Sequence, residues 1–160
     1  MTGNLSISVI VPAFRAELLL PRVLTPLLTM RDRGEVLEVI VVDDCSSDRT
    51  AAVAGGMGAT VITTPRNGGP GVARNLAAQS ARGAVLWFVD SDVIADPRGA
   101  LRVQAAFADP AVAAVFGSYD ETPPGGWFSR YKNLMHRYYH QTARRTAKTV
   151  ADRRAVQSGW

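Results

Sequence analysis

Two aspartates one residue apart, Asp90 and Asp92, close the apolar run of "GAVLWFVDSDVIADP" at residues 83–97. Carboxylates this close repel one another unless a cation or a rim of donors lies between them, so the pair points to a metal or a polar ligand. The same Asp-Ser-Asp is also good turn chemistry at the start of a following helix, and that reading stays open beside the first. A second acidic pair, Asp43 and Asp44, ends the run "EVIVV". Between the two pairs lies "RNGGPGVARN", whose glycines permit close backbone approach and whose helix N-terminus, after Gly71, offers amides to an anion. The glycines serve equally well as turn residues. Arg74, one turn into that helix, can reach a phosphate or a base edge. No GxGxxG follows the first apolar run and no GxxxxGK[ST] occurs, so the nicotinamide and P-loop readings drop out.

The elements that must position these residues alternate along the chain. Continuous apolar runs predict strands near residues 6–11 (closed by Pro12), 37–42, within "ATVITTP", within "AVLWFV" and within "AVAAVFGSY". Helical spacing predicts a helix in "LLLPRVLTPLLTMRDRG", with Pro21 in its first turn, Gly34 as its stop and Pro26 as a weak point or kink. Further helices follow the second strand, capped by Ser47 or Asp48 and ended by Gly55 and Gly56; the glycine loop, ended by Gly83; and Pro97. Such a rhythm makes an α/β domain with a mainly parallel sheet and helices on both faces. Ligands of open parallel sheets bind outside the carboxyl ends of the strands, near the point where strand order reverses. The strand ends at Pro12, at Asp43 and Asp44, and at Asp90 and Asp92 are therefore expected around one crevice.

Length and composition set the frame. At 160 residues, 47% hydrophobic and 20% charged, the chain has material for one cored domain. Its one cysteine, Cys45, excludes an internal disulfide and fits a reducing compartment. With no apolar stretch long enough for a membrane span and no signal-like N-terminus, the expected location is cytoplasmic. Charge is uneven: residues 130–154 hold eight basic residues and one acidic one, while the remainder holds ten basic and thirteen acidic. No nucleic-acid module accompanies this basic segment, so solvated helix surface is its first reading and no nucleic-acid partner is expected. Its tyrosines Tyr131, Tyr138 and Tyr139, with Trp127 and Phe128 just before it, read as a packing face, with peripheral contact at the inner face of a membrane as the second reading. His136 and His140 are four apart, but no third metal ligand accompanies them.

"SVIVPAF", "EVIVVDDCSSDRTA", "NGGPGVARNLA" and "GAVLWFVDSDV", in this order and spacing, resemble the family 2 glycosyltransferases of the GT-A fold, inverting enzymes that use nucleotide-diphosphate sugars. The likeness spans about residues 5–119, with a weaker echo in "NLMHRYYHQTARR". It implies a Rossmann-like nucleotide-diphospho-sugar transferase domain at residues 1–122 and a basic, helical segment at 123–160 that begins the acceptor half. It also implies a UDP- or GDP-sugar donor, a glycan or lipid acceptor, and a divalent magnesium or manganese ion. By the same likeness Pro12, Ala13, Asp43, Asp44, Gly71, Arg74 and Asp90 hold the nucleotide. Asp44 accepts from the base edge, Asp90 approaches the ribose or the metal, and Asp92 ligates the cation. The family's catalytic base lies beyond the fifth strand, where Asp120 and Glu121 in "YDETPP" do not match the expected motif, so the base is left unassigned. On that ground the chain reads as shortened, with an inactive nucleotide-binding remnant as the alternative. A phospho-receiver domain is disfavoured: its acidic pair would follow the first strand and its lysine the fifth, whereas here the pair follows the second strand and the first lysine is Lys132.

Overall fold

The computed structural model describes residues 5–117 and 154–158. Strand and helix alternate as β1 (Ile7–Ala13), α1 (Leu20–Asp32), β2 (Glu38–Asp43), α2 (Thr50–Gly56), β3 (Thr60–Thr63), α3 (Pro70–Ser80), β4 (Val85–Val89), α4 (Gly99–Ala106), β5 (Ala114–Phe116) and β6 (Arg154–Ser158). The strands form one sheet in the order β3-β2-β1-β4-β6-β5, every neighbouring pair parallel. The chain builds outward from β1 to β3, then returns to lay β4 on the other side of β1. The reversal of strand order therefore falls between β1 and β4.

Each residue of β1 and β2 is buried, which is why both read as unbroken apolar runs. Alternate side chains divide between two cores. Ile7, Val9, Val11 and Ala13 pack with α1 and α4, while Ile10, Ile40 and Val42 meet Ala73 and Ala77 of α3. On α1, Leu20, Val23, Leu24, Leu27 and Leu28 recur at the three- and four-residue spacing that puts them on one buried face. That burial carries the helix straight through Pro26, where the sequence predicts a weakened turn. Gly34 ends it at φ +73°, a conformation other residues adopt only at a cost.

Three local expectations change. The helix α3 stops at Ser80, and Ala81 is already extended. Gly83 does not end that helix. Its amide donates to Ser8 Oγ at 2.8 Å, and a Cβ there would lie 2.5 Å from the Ser8 nitrogen. Ser8 in turn donates to Glu38 Oε1 at 2.7 Å, which also accepts the Arg82 amide at 2.8 Å, so the amino ends of β1, β2 and β4 are tied together. The turn that ends α2 uses Gly58, at φ +90°, beyond Gly55 and Gly56.

The third difference concerns the division at residue 122. Residues 154–158, expected in a helical tail, instead pair as β6 between β4 and β5, with Val85 opposite Arg154 and Val115 opposite Val156. Only Val156 among them is β-branched. The strand follows from two open neighbouring edges rather than from local propensity. Asp120, Glu121, His136, His140, the aromatic residues from Trp127 to Tyr139 and the rest of the basic segment lie outside the described residues. Among the described residues, no helix is long and apolar enough to cross a membrane.

Candidate functional site

At the carboxyl edge, β1 and β2 end side by side with Ala13 opposite Asp43, and the Asp44 amide donates to the Ala13 carbonyl at 2.8 Å. Pro12, Ala13, Asp43 and Asp44 are all buried there. Asp43 accepts the Ser46 amide at 3.3 Å, a turn contact within its own loop.

Asp44 reaches across to the glycine loop. Its carboxylate accepts the Gly68 amide at 3.0 Å, the Gly69 amide at 2.7 Å and the Thr64 hydroxyl at 2.8 Å. Burial pushes this carboxyl up, but the Gly68 amide, the Thr64 hydroxyl and the Gly69 amide outweigh it and hold the group below its ordinary range. The anion expected at the start of α3 is thus supplied first by the protein itself. Pro70 has no N–H, so the amides that the first turn of α3 leaves over are those of Gly71 and Val72. Thr64 is a site residue that the sequence alone does not single out, its signal being a threonine just past the end of β3, while Gly68 and Gly69, read from the sequence as loop glycines, serve Asp44 through their amides.

From α3, Arg74 turns to the end of β4, where its guanidinium meets Asp90 Oδ1 at 2.6 Å with both side chains largely covered. Asp92 is exposed on the turn that the Val93 amide closes onto the Asp90 carbonyl at 3.0 Å. Neither aspartate caps α4. That helix starts at Gly99, and Asp96 Oδ1 accepts the Arg98 amide at 2.7 Å. The structure therefore brings Asp44, Gly71, Arg74, Asp90 and Asp92 to one edge of the sheet, at the ends of β2 and β4 and the start of α3.

Among the described residues no group of three or more His, Cys, Asp or Glu side chains is placed to hold a metal. Asp90 is already engaged by Arg74, which leaves Asp92 as the open carboxylate of the pair. One hard oxygen donor fits a cation whose other ligands come from a bound diphosphate, and does not make a self-sufficient metal site.

The loop after β1 is held by the loop after β2. The amides of Arg15, Ala16 and Glu17 donate to Ser46 Oγ (2.9 Å), Thr50 Oγ1 (2.8 Å) and Asp48 Oδ2 (3.3 Å). The Arg49 amide returns a bond to Glu17 Oε2 at 2.8 Å. Bonds from the Thr50 hydroxyl and from the Thr50 and Glu17 amides keep the Asp48 carboxyl below its ordinary range against some burial. From the sequence, Asp48 reads only as a helix cap. Arg15 itself is left-handed, at φ +49°, with its guanidinium 5.2 Å from the Phe14 ring centre.

The fold recurs in known proteins. Residues 8–157 match the family described as Glycosyl transferase family 2. The poly(ribitol-phosphate) beta-N-acetylglucosaminyltransferase TarS of Staphylococcus aureus is 36% identical over 107 residues, covering 64% of this chain but only 18% of that protein. Its crystal structure in complex with UDP-GlcNAc superimposes with a TM-score of 0.63 at 32% identity, over 76% of this chain and 36% of that one. The glucosyl-3-phosphoglycerate synthase of Mycobacterium tuberculosis, in complex with Mn2+ and UDP-glucose, superimposes with a TM-score of 0.64 at 25% identity, over 74% of this chain and 45% of that one. In each case the chain spans less than half the length of the protein that it matches. With an α/β parallel sheet, a GT-A fold and a family match running through nearly all of its residues, this chain belongs to glycosyl transferase family 2.

Proposed function

We propose that the carboxyl edge of β1, β2 and β4 binds a uridine-diphosphate sugar and serves as the donor site of an inverting sugar transfer. The observation that carries this reading is the Arg74–Asp90 pair at the reversal of strand order, beside an ionised Asp44 that anchors the α3 N-terminus. Uridine is favoured over guanosine because the related TarS and glucosyl-3-phosphoglycerate synthase structures carry uridine nucleotides.

In this reading Pro12, Ala13, Asp43 and Asp44 line the base. Thr64, Gly69 and the Gly68 amide, which is shared between both oxygens, take up the roughly four acceptor positions of the Asp44 carboxylate, so Asp44 serves the base by holding the glycine loop beside it. Asp90 accepts from the ribose, Arg74 and the Gly71 amide meet the diphosphate, and Asp92 holds magnesium or manganese against the phosphates. Such an ion stabilises the charge that develops on a leaving diphosphate. Arg74 adds its own positive charge at the same place, and Asp90 fixes the guanidinium so that it need not reorganise during transfer. The acceptor, a glycan or a lipid, and the catalytic base stay unassigned.

The test is titration calorimetry of the full chain with UDP and GDP, in manganese and after chelation. UDP is expected to bind more tightly with manganese than without it. Absence of binding by either nucleotide would overturn the donor-site reading, and equal affinity in both conditions would remove the cation from it.

A further inference from the structure

The side chains of Ser46, Asp48 and Thr50 take three successive amides of the loop that leaves β1, and the Ser46 amide also donates to Asp43 at the end of β2. Resting on the donor-site reading above, we infer that these three are positioning residues for the nucleoside: they fix residues 13–17 in the shape that meets the base.

The reasons lie in the geometry of the loop. A left-handed Arg15 is strained, so the segment would relax if nothing over-determined it. What over-determines it comes from the other loop. Thr50 is fully buried, and its one hydroxyl proton is committed to Asp48 Oδ1 at 2.5 Å, leaving the oxygen to accept the Ala16 amide at 2.8 Å. Asp48 Oδ1 also accepts the Thr50 amide at 3.0 Å, so the carboxylate cannot swing away without giving up several bonds at once. Glu17 answers with its own carboxylate on the Arg49 amide. The two loops are therefore one unit, locked from Asp44 on the Ala13 carbonyl to Thr50 on Ala16. A bound base would rest on the near end of that unit. The Arg74 and Asp92 side, where a diphosphate and its cation would sit, is built on α3 and β4 and meets that unit through Asp44, at the end away from Ser46 and Thr50.

That separation makes the role measurable. Thr50→Val keeps the side-chain shape but leaves the Ala16 amide without its partner and takes from Asp48 Oδ1 one of its two Thr50 donors; Thr50→Ser restores the hydroxyl. In manganese, Thr50→Val is expected to weaken UDP binding about tenfold while leaving inorganic pyrophosphate binding unchanged, and Thr50→Ser to recover most of the loss. Ser46→Ala, at a half-buried position, removes one bond and is expected to cost about threefold in UDP alone; it carries the test if Thr50→Val does not fold. A purely structural role would lower UDP and pyrophosphate affinity together, in step with the melting temperature, and that result would overturn the inference. So would unchanged UDP affinity in Thr50→Val, or in Ser46→Ala where it carries the test. Wild-type protein that binds pyrophosphate but no UDP would overturn the donor-site reading itself, and the inference with it.

Discussion

The Asp44 carboxylate and the Gly69 amide lie 2.7 Å apart, and through them the end of β2 holds the start of α3. Asp44 is buried, so removing its charge strands the Gly68 and Gly69 amides in a place water does not reach freely, while the Thr64 hydroxyl can turn to the Arg66 carbonyl at 2.9 Å. Asp44→Ala is expected to destabilise the fold by about 1–3 kcal/mol, the usual cost of unsatisfied buried donors. Asp44→Asn is expected to do little better, since its amide group turns two further donors toward three. Denaturant unfolding of the two variants checks this: an Asn variant as stable as the wild type would mean the carboxylate does not anchor the loop.

Acid should unfold the domain through the same contacts. Asp44 and Asp48 are held below their ordinary values, and so is Glu38, where burial is outweighed by Ser8, the Arg82 amide and the Arg82 guanidinium. A depressed carboxyl contributes stability that is fully present above its unfolded value, about 4, and is lost as pH falls through the lower folded value. The unfolding free energy is thus expected to be flat in these groups from neutral pH to about pH 5 and to fall below about pH 4. Glu38→Gln should flatten part of that fall. A profile indifferent to Glu38 would show that its bonds to Ser8 and Arg82 do not persist in solution.

At Gly83 the expected change is steric. A methyl group there would meet the Ser8 backbone nitrogen at 2.5 Å, with β1 too well paired on both sides to move away. Gly83→Ala is expected to cost about 1–3 kcal/mol, the range for overpacking a tight interior. Gly71→Ala, with nothing within 4 Å of the added carbon, serves as the control and should be close to neutral in stability. Thermal melts of both variants measure the difference.

Much of this is legible in the sequence because it rests on local chemistry. The buried runs of β1, β2 and β4, the acidic residues at the ends of β2 and β4 and the glycine-rich entry to α3 are each contiguous in the chain. What escapes is what depends on partners far apart. Nothing near Asp44 announces that Gly68 and Gly69 will occupy it, and nothing in "CSSDRT" says that its side chains will serve the backbone of residues 15–17. Gly83 reads as a helix stop because a glycine after a helical run usually is one; only the approach of β1 shows why no side chain fits. Residues 154–158 read as helix for the same reason, since their strand exists only through its two neighbours.

Asp90 and Asp92 look equivalent as a pair in the sequence, and their surroundings separate them. Asp90 is largely covered and bound to Arg74 at 2.6 Å; Asp92 is exposed. If the donor site works as proposed, the two should fail differently. Asp92→Asn is expected to leave stability within about 0.5 kcal/mol of wild type, as surface changes usually do. It should bring UDP affinity in manganese down to that of the chelated wild type, because only the cation's protein ligand is gone. Asp90→Asn removes the charge that balances a covered guanidinium, so it should lower the melting temperature and weaken UDP with and without manganese alike. Calorimetry in both conditions, paired with melts, reads all four outcomes. An Asp92→Asn protein that still responds to manganese, beside an Asp90→Asn protein that does not, would exchange the two roles and place the cation at the buried end of the pair.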